Sequence, residues 1–242
     1  MRKTLNMLRF LRAYALLVRD PNQTQRVFDL GERIADGDLF ERMPWLRGRP
    51  EIEALARRPS RRLRCDRSRL AALPPGTLGH EYAALMRRAD LHPEDLDHWR
   101  GESTLMRFRV HLESTHDVWH VVTGFGTDVD GEAGLQAFYY AQLSSPLPLV
   151  LLSAALLNAV VIERGSGERR VEQIVRGYLM GRRAAPLTGI DWSERWAQPL
   201  DELRRELGVD PGLDVSAAPW RSAGRERTLP REPVVAGGRE GG

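Results

Sequence analysis

Within Glu113–Phe138, ESTHDVWHVVTGFGTDVDGEAGLQAF, two histidines, an aspartate and a glutamate gather around one glycine-punctuated turn. Leu105, Phe108 or Arg109, Leu112, His116, Trp119 or His120, and Thr123 follow a helical rhythm, so His116 and His120 stand one above the other on a helix. Two imidazoles at this spacing reach one ion at about 2.0–2.1 Å, which is why helical zinc sites use it. Asp117 leaves the helix about 100° away from His116. It can ligate from the side, orient an imidazole, or act as a base. Gly124 supplies a helix stop, Asp130 reads as the N-cap of the next helix, and Glu132 falls in that helix's first turn. If the two helices fold back antiparallel, Glu132 returns beside both imidazoles. The set is nitrogen and oxygen without thiolate, which permits zinc, iron(II) or manganese and disfavours a purely structural cysteine-type zinc site. A reading without metal stands beside it. A first-turn glutamate stabilises the helix dipole unaided, and His80, His92, His98 and His111 occur outside the pattern.

The elements that must position these residues read as helices. Helical periodicity covers 4–18, 23–36, 78–89, 103–123, 131–143, 148–163, 168–182 and 193–207, and no period-two run argues for a sheet. The expectation is an all-α chain: a single helical domain over 1–215 with a metal-binding helical hairpin, then a disordered tail over 216–242 whose few apolar residues cannot offset ordering entropy. In the first helix Leu5, Leu8, Leu11 and Ala15 form the stripe expected to pack on the domain, and Arg9 and Arg12 interrupt any secretory apolar core. Leu147–Ile162 is apolar on every side but, at sixteen residues, falls short of the roughly 20 that span a bilayer. It reads as a buried core helix, or as the wall of a cavity for a hydrocarbon. Arg57–Arg69, with seven arginines and one acid, reads as a solvated linker, or else as a contact surface for anionic groups such as the phosphate headgroups of a membrane.

Composition bounds the function classes. Thirty-six basic residues face 33 acidic ones, for a net charge of +3, and no reading motif accompanies the arginines, so nucleic-acid binding is not expected. The lone Cys65 excludes a disulfide framework and suits a reducing compartment such as the cytosol. No flavin motif or nicotinamide fingerprint is present.

The series His116, Asp117, His120, then eleven residues and Glu132, resembles the metal motif of the coenzyme Q (ubiquinone) biosynthesis Coq-four family. LPPGTLGHEYAALM (Leu73–Met86), RFRVHLESTHDVWHVVTGF (Arg107–Phe125), GEAGLQAFYYAQ (Gly131–Gln142) and DWSERWAQPLDELRRELGV (Asp191–Val209) carry the resemblance over about 70–210. It implies a mostly helical protein that binds a divalent ion, usually zinc, through His116, Asp117, His120 and Glu132. It also implies peripheral attachment to the membrane holding polyprenylated precursors, the mitochondrial inner membrane in a eukaryote, and assembly with other quinone-biosynthesis enzymes. The implied reaction replaces the C1 carboxylate of a polyprenyl hydroxybenzoate by hydroxyl. No catalytic residue beyond the ligands is indicated, and a homodimer stays open. Two other readings are carried: a non-catalytic prenyl-lipid-binding organiser of an enzyme complex, and, more weakly, a zincin-like hydrolase. Phe138, Tyr139 and Tyr140 join the 147–162 helix as candidate contacts for the prenyl tail.

Overall fold

Capping residues set where the helices of the computed structural model begin. It describes residues 2–21, 37–59, 61–92 and 101–215. Among the described residues ten α-helices follow in order: α1 (Arg2–Arg19), α2 (Leu39–Arg42), α3 (Pro50–Arg57), α4 (Arg67–Ala71), α5 (Leu78–Arg88), α6 (Thr104–Thr123), α7 (Val129–Leu143), α8 (Pro146–Val161), α9 (Gly167–Arg183) and α10 (Leu200–Leu207). Asp38, Asp66, Thr77, Ser103 and Asp128 each accept first-turn N–H groups through a side-chain oxygen, opening α2, α4, α5, α6 and α7. Pro146 sits where the orphan N–H positions of α8 make proline harmless. No strand occurs among the described residues, and the fold is a single all-α domain.

The core places α6 at its centre. Leu105, Phe108, Val118, Trp119, Val121 and Val122 of α6 pack with residues of α2, α3, α5, α7 and α10. Arg204 of α10 donates from Nε to the Val122 carbonyl and from Nη2 to the Val121 carbonyl, both at 2.9 Å, satisfying carbonyls that the end of α6 leaves open. On the other side α7 meets α9 backbone to backbone. A side chain at Gly177 would run into the carbonyl oxygen of Gly134, and one at Gly181 would lie 2.8 Å from the Ala141 Cβ. Beside this contact Gln142 is buried and donates to the Gly181 carbonyl while accepting from Leu187 N–H.

Several expectations are corrected. α1 does pack on the domain, but through Phe10, Ala13, Tyr14, Leu17 and Val18 against Ala154 of α8, while Leu8 (59 % exposed) and Leu11 (51 %) face outward. The side chains of 2–6 are not described, so Leu5 lies outside this comparison. α8 is not buried all round: Leu152, Ala154, Ala155, Asn158 and Ala159 face inward, whereas Leu149, Leu156, Leu157, Val160, Val161 and Ile162 are exposed. A continuous apolar sequence lacks the contrast that would have marked its outer face. The arginine-rich stretch is not a solvated linker. Leu63 and Cys65 pack on the core, and Arg62 meets the buried carboxylate of Glu113 at 2.7 Å. The single helix expected over 193–207 is a 3-10 turn at Trp192–Glu194 and then α10, because Pro199 cannot donate into a helix and disfavours helical geometry just before it. The helix expected over 23–36 and the tail from 216 onward lie outside the described residues.

The α7–α9 contact generates a direct expectation. Gly177→Ala forces two backbones apart, and overpacking of this kind costs about 1–3 kcal/mol. The thermal midpoint should fall by roughly 2–12 °C for a chain of this size, read by circular dichroism. An unchanged midpoint would mean that the helices do not touch here.

Candidate metal centre

One turn of α6 and the first turn of α7 decide where the ligand-type side chains go. His116 and His120 rise from α6, and Glu132 enters from the first turn of α7, four residues beyond its N-cap Asp128, after the loop that joins the two helices has turned the chain back. His120 Nε2 lies 3.0 Å from Glu132 Oε1, His116 Nε2 lies 3.7 Å from the same oxygen, and the two Nε2 atoms are 3.2 Å apart. Two donors bound tetrahedrally at about 2.0–2.1 Å are separated by roughly 3.3 Å, and the observed distances bracket that value. Among the described residues this is the group of three whose donor atoms all lie within 4.8 Å of one another. The donor set therefore fits a borderline or hard divalent ion.

The loop does more than reverse the chain. The Phe125 carbonyl lies 3.1 Å from His120 Nδ1, so the imidazole donates there and keeps the Nε2 lone pair turned toward Glu132 and His116. This is possible because the loop lies flat on α7: a side chain at Gly131 would strike the backbone of Gly126, and one at Gly134 would strike the Phe125 ring. The expected cap is corrected. Asp128, not Asp130, caps α7, its Oδ1 accepting from the N–H groups of Asp130 and Gly131 at 3.0 Å. Asp130 instead accepts from Arg170 Nε at 2.7 Å and from Arg169 Nε at 3.2 Å. Arg170 is fully buried and also donates to the Ala155 carbonyl, Asn158 Oδ1 and Glu163 Oε2. The start of α7 is thus clamped to α8 and α9, which fixes where Glu132 stands.

Asp117 is buried on α6 but is not within the three-residue group. Burial pushes its carboxyl up, outweighing the two imidazoles, and Glu132 adds to the rise. Glu132 shows the opposite balance. Burial acts to raise it, but the charge of His120 and the hydrogen bonds from both imidazoles hold it well below the usual carboxylate range. For His116 burial acts to lower the pKa, yet the Glu132 hydrogen bond and charge, with Asp117 behind them, leave it raised. The pocket is electrostatically built for positive charge. Tyr139, which spacing alone did not single out as a site residue, has its hydroxyl 3.4 Å from His116 Nδ1. It lies seven residues after Glu132, two turns along the same face, and that relation was legible. Of its aromatic neighbours, Phe138 is a core residue against Trp119 and Tyr140 stacks on Tyr178.

With this geometry in place, the comparisons decide the family. Residues 6–212 match the model of the family described as coenzyme Q (ubiquinone) biosynthesis protein Coq4. The chain belongs to the Coq4 family. The ubiquinone biosynthesis protein COQ4 homolog, mitochondrial, of Danio rerio is 30% identical over 212 residues, covering 80% of this chain and 72% of that one. The corresponding protein of Laccaria bicolor is 30% identical over 202 residues, covering 79% and 66%. The crystal structure of a putative ubiquinone biosynthesis protein from Nostoc punctiforme superposes with a TM-score of 0.72 at 31% identity, covering 85% of this chain and 99% of that one. A role in ubiquinone biosynthesis is thereby established at the level of the family.

The remaining described histidines of this Coq4-family chain lie outside the three-residue group. His80 Nδ1 pairs with the Leu73 carbonyl, and His92 lies 3.7 Å from Asp90. His111, on α6 itself, has its Nε2 buried without a hydrogen-bond partner, and burial, with Arg58 nearby, lowers its pKa to about 4. The folded protein therefore refuses a proton that the unfolded chain accepts below about 6.5. Stability is complete above that pH and falls by roughly 3 kcal/mol as pH drops from about 6.5 toward 4. His111→Leu should flatten this part of a plot of melting temperature against pH. Parallel curves for the two proteins would contradict the assignment.

Proposed function

We propose that this chain removes the C1 carboxylate of a polyprenylated hydroxybenzoate and leaves a hydroxyl in its place, with a divalent ion, zinc in the first instance, held by His116, Asp117, His120 and Glu132. The observation that carries the reading is the convergence of two imidazole nitrogens and a carboxylate oxygen at 3.0–3.7 Å in a chain of this family. A bound cation supplies Lewis acidity for a phenolate or carboxylate oxygen and offsets negative charge as carbon dioxide leaves. The chain's own residues do the rest. Glu132 stays ionised and His120, anchored by Phe125, keeps Nε2 pointed inward. His116 and Glu132 are partly exposed while His120 is buried, which leaves the ligands one open side for substrate.

The overall change is a two-electron oxidation with dioxygen as the acceptor. Carboxylic acid, water and dioxygen give phenol, carbon dioxide and hydrogen peroxide. The bond between the ring and its carboxyl carbon breaks, a carbon–oxygen bond forms, and the electron pair passes to dioxygen. The partners are the prenylated precursor and other enzymes of quinone biosynthesis. Peripheral membrane attachment is part of the proposal, supported by the apolar residues that α1 (Met7, Leu8, Leu11) and α8 (Leu149, Leu156, Leu157, Val160, Val161), with Ile162 just beyond it, turn to solvent. No described helix is long and apolar enough to cross a membrane.

Purified protein should carry about one divalent ion per chain and convert a short-chain prenylated hydroxybenzoate to the hydroquinone in air. Loss of one ligand costs more than the 10–100-fold typical of outer partners, so Glu132→Gln should lower metal affinity by more than about 100-fold and abolish product. Product at the normal rate from that variant would overturn the catalytic ion. Wild-type protein that retains ion and prenyl lipid yet never forms product would instead establish the organiser. In a flotation assay with liposomes, Leu156→Glu combined with Val160→Glu should leave the protein in the soluble fraction. Flotation equal to wild type would remove α8 from the membrane face.

A further inference from the structure

An imidazole that gives one nitrogen to an ion carries its proton on the other, and that proton needs an acceptor. For His120 the acceptor is the Phe125 carbonyl, a group that can only accept. For His116 the atom facing Nδ1 is the phenol oxygen of Tyr139, at 3.4 Å. The phenol is held from both sides. Its ring lies parallel to His116, with centroids 5.9 Å apart and 13° between planes, and stacks on Trp119 at 4.2 Å and 8°. Trp119 is fully buried and meets Phe138 edge-on, so the stack cannot slide.

We infer that Tyr139 is a positioning residue for His116, accepting the Nδ1 proton so that the Nε2 lone pair faces the ion. The inference rests on the metal-site reading above. It gives the two imidazoles matching supports of different origin: a backbone carbonyl from the loop for His120 and a stacked phenol from α7 for His116. Glu132 and Tyr139 stand on one face of α7, two turns apart, so one helix supplies a ligand to the ion and the outer partner of another ligand. A phenol also donates as well as accepts, whereas phenylalanine can do neither. Without the hydroxyl the Nδ1–H loses this acceptor, and His116 is free to carry its proton on Nε2, which closes that nitrogen to metal.

The test uses full-length protein stripped of metal and titrated with Co(II), followed by its visible spectrum, with zinc affinity measured by competition. Tyr139→Phe preserves the stack on Trp119, so the stripped variant should melt within about 2 °C of wild type. Its metal affinity should fall about 10–100-fold, the range for loss of an outer-shell partner, and the Co(II) bands should shift in position or intensity. Equal affinity and an unchanged spectrum would overturn the inference while leaving the metal site intact. A parallel fall in stability of the stripped protein and in affinity would overturn it too, as a packing effect. Wild-type protein that binds neither ion would overturn the metal-site reading itself, which that arm detects separately.

Discussion

The arrangement depends on how closely the loop after α6 can lie on the start of α7. Glu132 meets two imidazoles borne by the preceding helix only because the backbone of Gly126 rests on Gly131 and the ring of Phe125 rests on Gly134, leaving no room for a β-carbon at either glycine. That contact does three things. It brings the glutamate carboxylate within 3.0 Å of His120, turns the Phe125 carbonyl toward His120 Nδ1, and seats α7 so that its next turns can receive α9. Loosening it would leave each residue in place in the sequence and scatter the donors in space.

α7 consequently has two unlike sides. Toward α6 it presents Phe138 and Tyr139, bulky rings that mesh with Trp119 and His116 and set a wide helix separation with a site between them. Toward α9 it presents Gly134 and Ala141, which let the helices approach until backbone meets backbone. The clamp of Arg170 on Asp130 fastens the same helix at its N-terminus. A buried arginine is costly to desolvate, and here it is offset by an acidic partner at 2.7 Å and by three further acceptors. Ligand geometry is thus held by glycine packing, an aromatic stack and a charged clamp, none of which is itself a ligand. α8, which carries part of that clamp on its inner face, turns an apolar face outward.

Much of this was legible in the sequence, and what was not has identifiable causes. Helical spacing was enough to put His116 and His120 on one face and Glu132 at the start of the next helix, because i, i+4 relations and turn chemistry are local. Burial side was harder to read. α1 carries apolar residues around much of its circumference, so its stripe could be drawn through Leu8 and Leu11 when the packed residues are Ala13 and Leu17. α8 offered no polar contrast at all. The arginine run looked solvated since nothing local shows that Arg62 will find Glu113, 51 positions away in the chain. Asp128 and Asp130 are both good caps by type, and only the long-range pairing of Asp130 with Arg170 distinguishes them. Pro199 was visible and should have divided the last helix.

The central claim is that the two imidazoles and the Glu132 carboxylate share one ion. X-ray absorption at the zinc edge, on protein loaded with one equivalent, reports that shell directly. The account predicts a nitrogen and oxygen shell at about 2.0–2.1 Å with the outer-shell pattern of two imidazoles, reduced to one in His120→Ala. A spectrum with sulfur scattering, or one lacking imidazole and matching the hydrated ion, would contradict it.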